Sequence, residues 1–174
     1  MTELRQTIDK ILAWIVIVLM GAAVLNVGWQ VITRWVLQDP SSYTEELARY
    51  LLIWIGLLGA AYAAGQNLHL AIDILPMKLA GAARHRLEIV IQVIVFLFAL
   101  GVMVIGGLRL ATLTLRFGQI SAALGLPLGY VYMAIPLSGA LIMFYSASDT
   151  IAHWRALRTG SAASGAIPNP PAAD

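Results

Sequence analysis

Apolar residues dominate four long stretches of the chain, and short polar segments separate them. The first stretch runs from Ile11 to Thr33, interrupted only by Asn26 and Gln30. As a helix, those 23 residues would extend roughly 34 Å, enough to cross the hydrocarbon of a bilayer. The second runs from Leu47 to about Ala64 and the third from Leu87 to about Leu108, with Gln92 as its one internal polar side chain. The fourth covers about Leu128 to Ser148. The pattern predicts an all-α integral membrane protein of four transmembrane helices, with a membrane domain over 11–158. Residues 1–10 are a short polar N-terminus. Pro76 marks a short interfacial helix or the approach to the third span. The Gly-, Ala-, Ser- and Pro-rich stretch 159–174 reads as a disordered tail. Gly21-Ala22-Ala23 offers small residues for signal-peptide cleavage. The apolar run continues well past them, as a membrane anchor does and a short signal core does not.

The edges of the spans carry the polar chemistry. Arg34 and Trp35 close the first span, at the level where tryptophan and snorkelling arginine are favoured. Asp39-Pro40 then ends helical geometry. Ser42-Tyr43-Thr44-Glu45 fits a capping box, with Ser42 as cap and Glu45 reaching back to its amide. Glu45 and Glu46 lie in the first turn, where the helix dipole favours negative charge. Arg49 follows Glu45 at the favourable i,i+4 spacing. Ala60, Ala61, Ala64 and Gly65 form a small-residue patch suited to close helix contact. Gln66, Asn67, His69 and Asp73 make a second polar edge. Pro136, inside the fourth span, predicts a mid-span kink and a freed carbonyl.

Composition agrees with this reading. Only 11% of residues are charged, against about 25% in soluble domains, and the mean hydropathy is +0.81. The absence of cysteine excludes disulfides, thiolate metal sites and cysteine nucleophiles. The formal net charge of +2 forms no basic run, so nucleic acid is not an expected partner. Lys and Arg instead report topology. Arg5, Lys10, Lys78, Arg84, Arg86, Arg155 and Arg158 fall on one side, and Arg34, Arg49, Arg109 and Arg116 on the other. The bias predicts both termini in the cytoplasm.

No catalytic or transport site is visible. His69, His85 and His153 lie at span edges rather than mid-span, which argues against haem held between helices. Glu45, Glu46 and Asp73 stand at opposite edges with no acid between them, so they form no proton relay. The first span lacks the intramembrane acid on which small drug exporters depend. Hydrolase and transferase arrangements, phosphate-binding loops and metal clusters are missing as well. Trp54 lies deep enough to serve helix contact. A self-sufficient small homo-oligomeric transporter or channel would need polar groups at depth, and only Asn26, Gln30 and Gln92 are on offer. No enzyme activity and no cofactor are expected. A chain without a central polar path serves a partner.

Two blocks carry a resemblance. Arg34-Trp35-Val36-Leu37, Ser42, Glu45-Glu46-Leu47-Ala48-Arg49-Tyr50, Trp54, His69-Leu70 and Ile72-Asp73 form the first. Gly118-Gln119-Ile120-Ser121, Leu124-Gly125-Leu126-Pro127, Val131-Tyr132, Ala134-Ile135-Pro136 and Gly139-Ala140-Leu141 form the second. In this order, over about residues 10 to 150, the chain resembles the small, DctQ-type membrane subunit of TRAP transporters. Tyr43 stands where the family commonly has tryptophan, and Gln66-Asn67 where a basic residue often precedes the histidine. The resemblance implies a non-catalytic subunit of the bacterial inner membrane. Its partners would be a separate large membrane transport subunit, a periplasmic substrate-binding protein and membrane lipids. The system would take up an organic acid, driven typically by sodium. Arg34, Glu45, Glu46, Arg49, Trp54, His69 and Asp73 are then expected at the partner or lipid interface or in helix anchoring. Gln119 and Ser121 are expected on the surface that meets the periplasmic protein.

Overall fold

The computed structural model describes residues 2–39, 41–66 and 82–158. Helix α1 spans Thr2–Trp35 and α2 spans Ser42–Gly65. Helix α3 runs through Ala82–Phe98, a π-helical stretch Ala99–Gly106, and Gly107–Arg116. A short α4, Leu128–Tyr132, precedes α5, Ala134–Arg158. Among the described residues, four stretches are long and apolar enough to cross a membrane: Glu3–Trp35, Ser42–Gly65, Arg86–Arg116 and Leu128–Arg155. His69, Asp73, the interfacial helix expected near Pro76 and the expected C-terminal tail lie outside the described residues.

The helices stand side by side in an order that differs from the chain order. Helix α1 lies against α2, α2 against α4 and α5, and α3 against α4 and α5. The fourth span therefore sits between the second and the third. It buries 39% of its apolar window, whereas the first and third spans bury 6% each and form the two flanks. The core joins Leu12, Leu58, Ala61 and Tyr145, with Trp54, Tyr62, Ile142 and Phe144 packed against it. Three residues of the predicted small patch, Ala61, Ala64 and Gly65, are buried, and Ala60 is exposed. A Cβ on Gly65 would meet the Tyr145 ring at 2.6 Å, so hydrogen at this position lets the two helices close.

Glycines set the α3–α5 approach in the same way. A Cβ on Gly139 would stand 2.6 Å from Met103 Cβ, and one on Gly107 would stand 2.8 Å from Ile135 Cγ2. Met103 belongs to the π-helical stretch, whose wider turns re-aim side chains relative to a regular helix.

Two local expectations are corrected. The helix break associated with Pro136 falls earlier, at Met133, and α5 restarts at Ala134. Proline cannot donate to the carbonyl four residues back, and its ring collides with it. Ending α4 at Tyr132 moves Pro136 into the first turn of α5, where no intrahelical donor is needed. The capping box at Ser42 does not form. Ser41 is the N-cap, with extended backbone (φ −81°, ψ 117°) and no side-chain bond to a helix amide. Its hydroxyl pairs with Thr44 Oγ1 at 2.7 Å, and the Thr44 hydroxyl approaches the Ser41 carbonyl at 2.8 Å. Helix α2 thus begins with Ser42 inside its first turn, and Thr44 is buried.

Candidate functional site: a carboxylate clamp at one membrane edge

The ends of α1 and α3 and the starts of α2 and α4 share one edge of the molecule. There the adjacent acids of α2 part company. Glu45 points outward and pairs with Arg49 at 3.4 Å, both side chains 68% exposed. An exposed i,i+4 pair of this kind contributes little. Glu46 lies about 100° further round the helix and turns toward the segment between α3 and α4. Tyr50 Oη donates to Glu46 Oε1 at 2.7 Å. Glu46 Oε2 accepts from Ser121 Oγ at 2.9 Å, the Ala123 amide at 2.8 Å and the Leu124 amide at 3.0 Å. Four donors converge on one acceptor-only group.

The segment 117–127 is folded to offer those donors. Its ends are tied by an isolated antiparallel bridge between Ile120 and Pro127. The Ser121 amide donates to the Leu126 carbonyl at 2.8 Å, and the Leu128 amide to the Gln119 carbonyl at 3.0 Å. Gly118 and Gly125 adopt φ of +60° and +64°, the left-handed region that glycine enters without strain. Between these ties the Ala123 and Leu124 amides face Glu46. Ser121 is buried at 3% exposure, and its hydroxyl also accepts from the Leu124 amide at 3.1 Å. The outward surface is apolar: Phe117, Ile120, Leu126 and Tyr130 are all exposed, together with polar Gln119. At the neighbouring end of α1 and on the connection that follows, Trp35, Val36 and Leu37 are exposed as well, as is Arg34.

Of the residues expected at this edge, Glu46 and Ser121 are brought together, and Glu45 pairs with Arg49. Trp54 lies deeper, against the core. Asn26, polar within the first span, donates from Nδ2 to the Thr44 carbonyl at 2.8 Å and so ties α1 to the same turn of α2. Tyr50, four residues after Glu46, is a clamp member that stands in the first resemblance block without an expected role of its own. Its spacing was the available signal.

The opposite edge holds a second polar cluster, where the sequence pattern suggests only a polar lead-in. Arg5 Nη1 donates to Asp149 Oδ1 at 2.6 Å, and Arg5 Nη2 to the Gly65 carbonyl at 2.6 Å. The Arg5 guanidinium also lies 5.5 Å from the Tyr145 ring centroid, and Tyr145 Oη donates to Asp9. His153 and Glu88 approach to 2.9 Å between α5 and α3. The signal was periodic: Arg5, Ile8, Asp9 and Leu12 share one helical face. No group of three or more acidic or histidine side chains suited to a metal is present among the described residues.

Comparison with known sequences decides the family. The profile of the DctQ component of tripartite ATP-independent periplasmic transporters matches residues 23–156. The chain belongs to the DctQ family. It is 33% identical over 141 residues to the sialic acid TRAP transporter small permease protein SiaQ of Vibrio cholerae, covering 81% of this chain and 80% of that protein. A putative TRAP transporter small permease protein of Haemophilus influenzae is 28% identical over 142 residues, covering 82% of this chain and 86% of that protein. A third relative, the sialic acid TRAP transporter permease protein SiaT of Haemophilus influenzae, is 29% identical over 119 residues. Those residues are 66% of this chain but only 18% of that longer protein. The clamp and both segments it joins lie within the stretch that defines this DctQ protein as a family member, a multi-pass membrane component of a transporter.

Proposed function

We propose that this chain is the non-catalytic small membrane subunit of a TRAP transporter. It scaffolds a separate large transport subunit in the inner membrane and helps dock a periplasmic substrate-binding protein. The system takes up an organic acid, driven by an ion gradient, with sodium as the coupling ion. The observation that carries this reading is the likeness to a small permease protein over four-fifths of both chains. The relative in which the matching stretch is 18% of a longer permease supports a large membrane partner. The sialic acid in two relatives' names supports an acidic substrate.

The clamped edge is the periplasmic face in this reading, and both termini are cytoplasmic. Docking falls on Gln119 and Ile120 with the adjacent apolar side chains, while Ser121 supports them from beneath. Arg34, Glu45 and Arg49 meet the large subunit or lipid headgroups beside it. The exposed apolar flanks of α1 and α3 face lipid and the large subunit.

The test is co-expression of this chain with its large membrane subunit, followed by affinity purification and reconstitution into liposomes. The expected result is a stable complex, with uptake of a carboxylate substrate only when both membrane chains, the binding protein and a sodium gradient are present. Uptake by the 174-residue chain alone would overturn the proposal in favour of a self-sufficient transporter.

A further inference from the structure

The Glu46 clamp is more than a link between α2 and α4. It joins segments 75 to 78 residues apart in sequence. Two of its donors are main-chain amides of the turn at Ala123 and Leu124. A contact made through backbone amides fixes the path of the chain, not merely its proximity. The turn bonds Ser121 to Leu126 and Gln119 to Leu128 close the remainder of the segment. With its inner side fixed on Glu46, the segment presents the other side: Gln119 and Ile120, with Phe117 and Leu126 around them. Ile120 and Phe117 are 65% and 72% exposed. They lie beyond Arg116 at the end of the apolar span, where apolar patches mark contact surfaces. Arg49 is engaged by Glu45. Among the described residues the Glu46 carboxylate is met by hydroxyl and amide donors only.

We infer that Glu46 is a positioning residue for docking, whose carboxylate holds residues 119–127 in the shape that a soluble protein partner with an apolar contact patch recognises. The inference rests on the docking role proposed above. Acceptor capacity at this position matters more than charge. In Glu46→Gln the amide oxygen takes over the Ser121, Ala123 and Leu124 donors, and the amide nitrogen donates to Tyr50 Oη. Glu46→Ala removes the carboxylate acceptor from all four donors and leaves the Leu124 amide only its longer bond to Ser121 Oγ.

The experiment pairs two readouts on the full chain in complex with its large subunit. Hydrogen exchange reports the Ala123 and Leu124 amides, and surface-immobilised complex reports the affinity of the purified binding protein. Glu46→Ala is expected to speed exchange at both amides at least tenfold and to weaken docking at least fivefold. Glu46→Gln is expected to keep both within about twofold of the parent. Ser121→Ala, which removes one donor and one acceptor of the turn, gives an intermediate loss and serves if Glu46→Ala does not assemble. Ile120→Ser is expected to weaken docking without changing exchange. Unchanged exchange in Glu46→Ala and Ser121→Ala overturns the clamp. Faster exchange with unchanged docking, while Ile120→Ser does weaken docking, overturns the positioning role alone. If Ile120→Ser and Glu46→Ala both leave docking intact, the docking surface lies elsewhere and the inference falls with it.

Discussion

At the scale of single residues, two neighbouring acids show how much depends on direction around a helix. By sequence, Glu45 and Glu46 are equivalent first-turn acids. In the structure one is a solvated partner of Arg49 and the other holds a distant turn by three hydrogen bonds, with Tyr50 on its own helix as a fourth donor. Adjacent helical residues point about 100° apart, so only one of the two can face the segment before α4. Local spacing does not say which, because the donors that select Glu46 lie 75 or more positions away. The cap was equally open, since serine serves as well at position 41 as at 42. The ion pair at the opposite edge was hidden by distance too, with Arg5 and Asp149 standing 144 positions apart. Asp149 is 8% exposed at its side chain and Arg5 is 26% exposed. Removing Arg5 leaves a nearly buried carboxylate with its main cation gone. Arg5→Ala is expected to cost about 2 kcal/mol, between the values typical of surface and buried pairs. The double variant Arg5→Ala/Asp149→Ala should lose less than the two single losses added together. Thermal unfolding of the four proteins in detergent measures the difference, and strict additivity would show that the two groups do not interact.

Among the elements, the four spans are legible because hydropathy alone reports them, and their boundaries are not. Helix α1 begins at Thr2, before the apolar run, because Ile8 and Leu12 carry its buried face onto the core and Arg5 and Asp9 find partners on α5 and α2. Pro136 was legible as a break, but the carbonyl four residues earlier decides where it falls. Gly107 lets α3 close on Ile135, and the approach also needs Gly139 on the facing helix. Gly139→Val is therefore expected to push α3 and α5 apart or force Met103 aside, costing about 1–3 kcal/mol as overpacking does. A lowered melting temperature of the purified chain would report it. Gly101→Val, whose added Cβ meets open space, should leave melting unchanged. Equal effects of the two substitutions would remove the special role of the α3–α5 contact.

For the whole molecule, the family and the number of crossings are legible, whereas the neighbour relations are not. Hydropathy counts spans without saying which pack together. The pairing of Arg5 with Asp149 brings the first turns of α1 and the last turns of α5 to one edge, as four crossings require. In the proposed orientation, drawn from the Lys and Arg distribution, that edge is cytoplasmic. Alkaline phosphatase fused after Pro40 is expected to be active, and fused after Ala80 inactive, in cells producing the full transporter. The reverse pattern would invert the molecule and move the Glu46 clamp to the inner face.

Because the last span stands between the second and the third, the order of synthesis and the order of packing conflict. Helices α1 and α2 can pair as soon as both have left the ribosome, since they are neighbours in the finished molecule. Helix α3 emerges next with its principal neighbour still unmade. Its neighbours in the finished molecule are α4 and α5, which fill the gap between it and α2. The Glu46 clamp closes only with them, since the turn that supplies its amides leads directly into α4. A nascent chain stopped before Leu128 would hold α3 apart from the α1–α2 pair, tethered but not packed. The packing of this chain is thus completed by its last span, which joins two flanks that do not otherwise meet among the described residues.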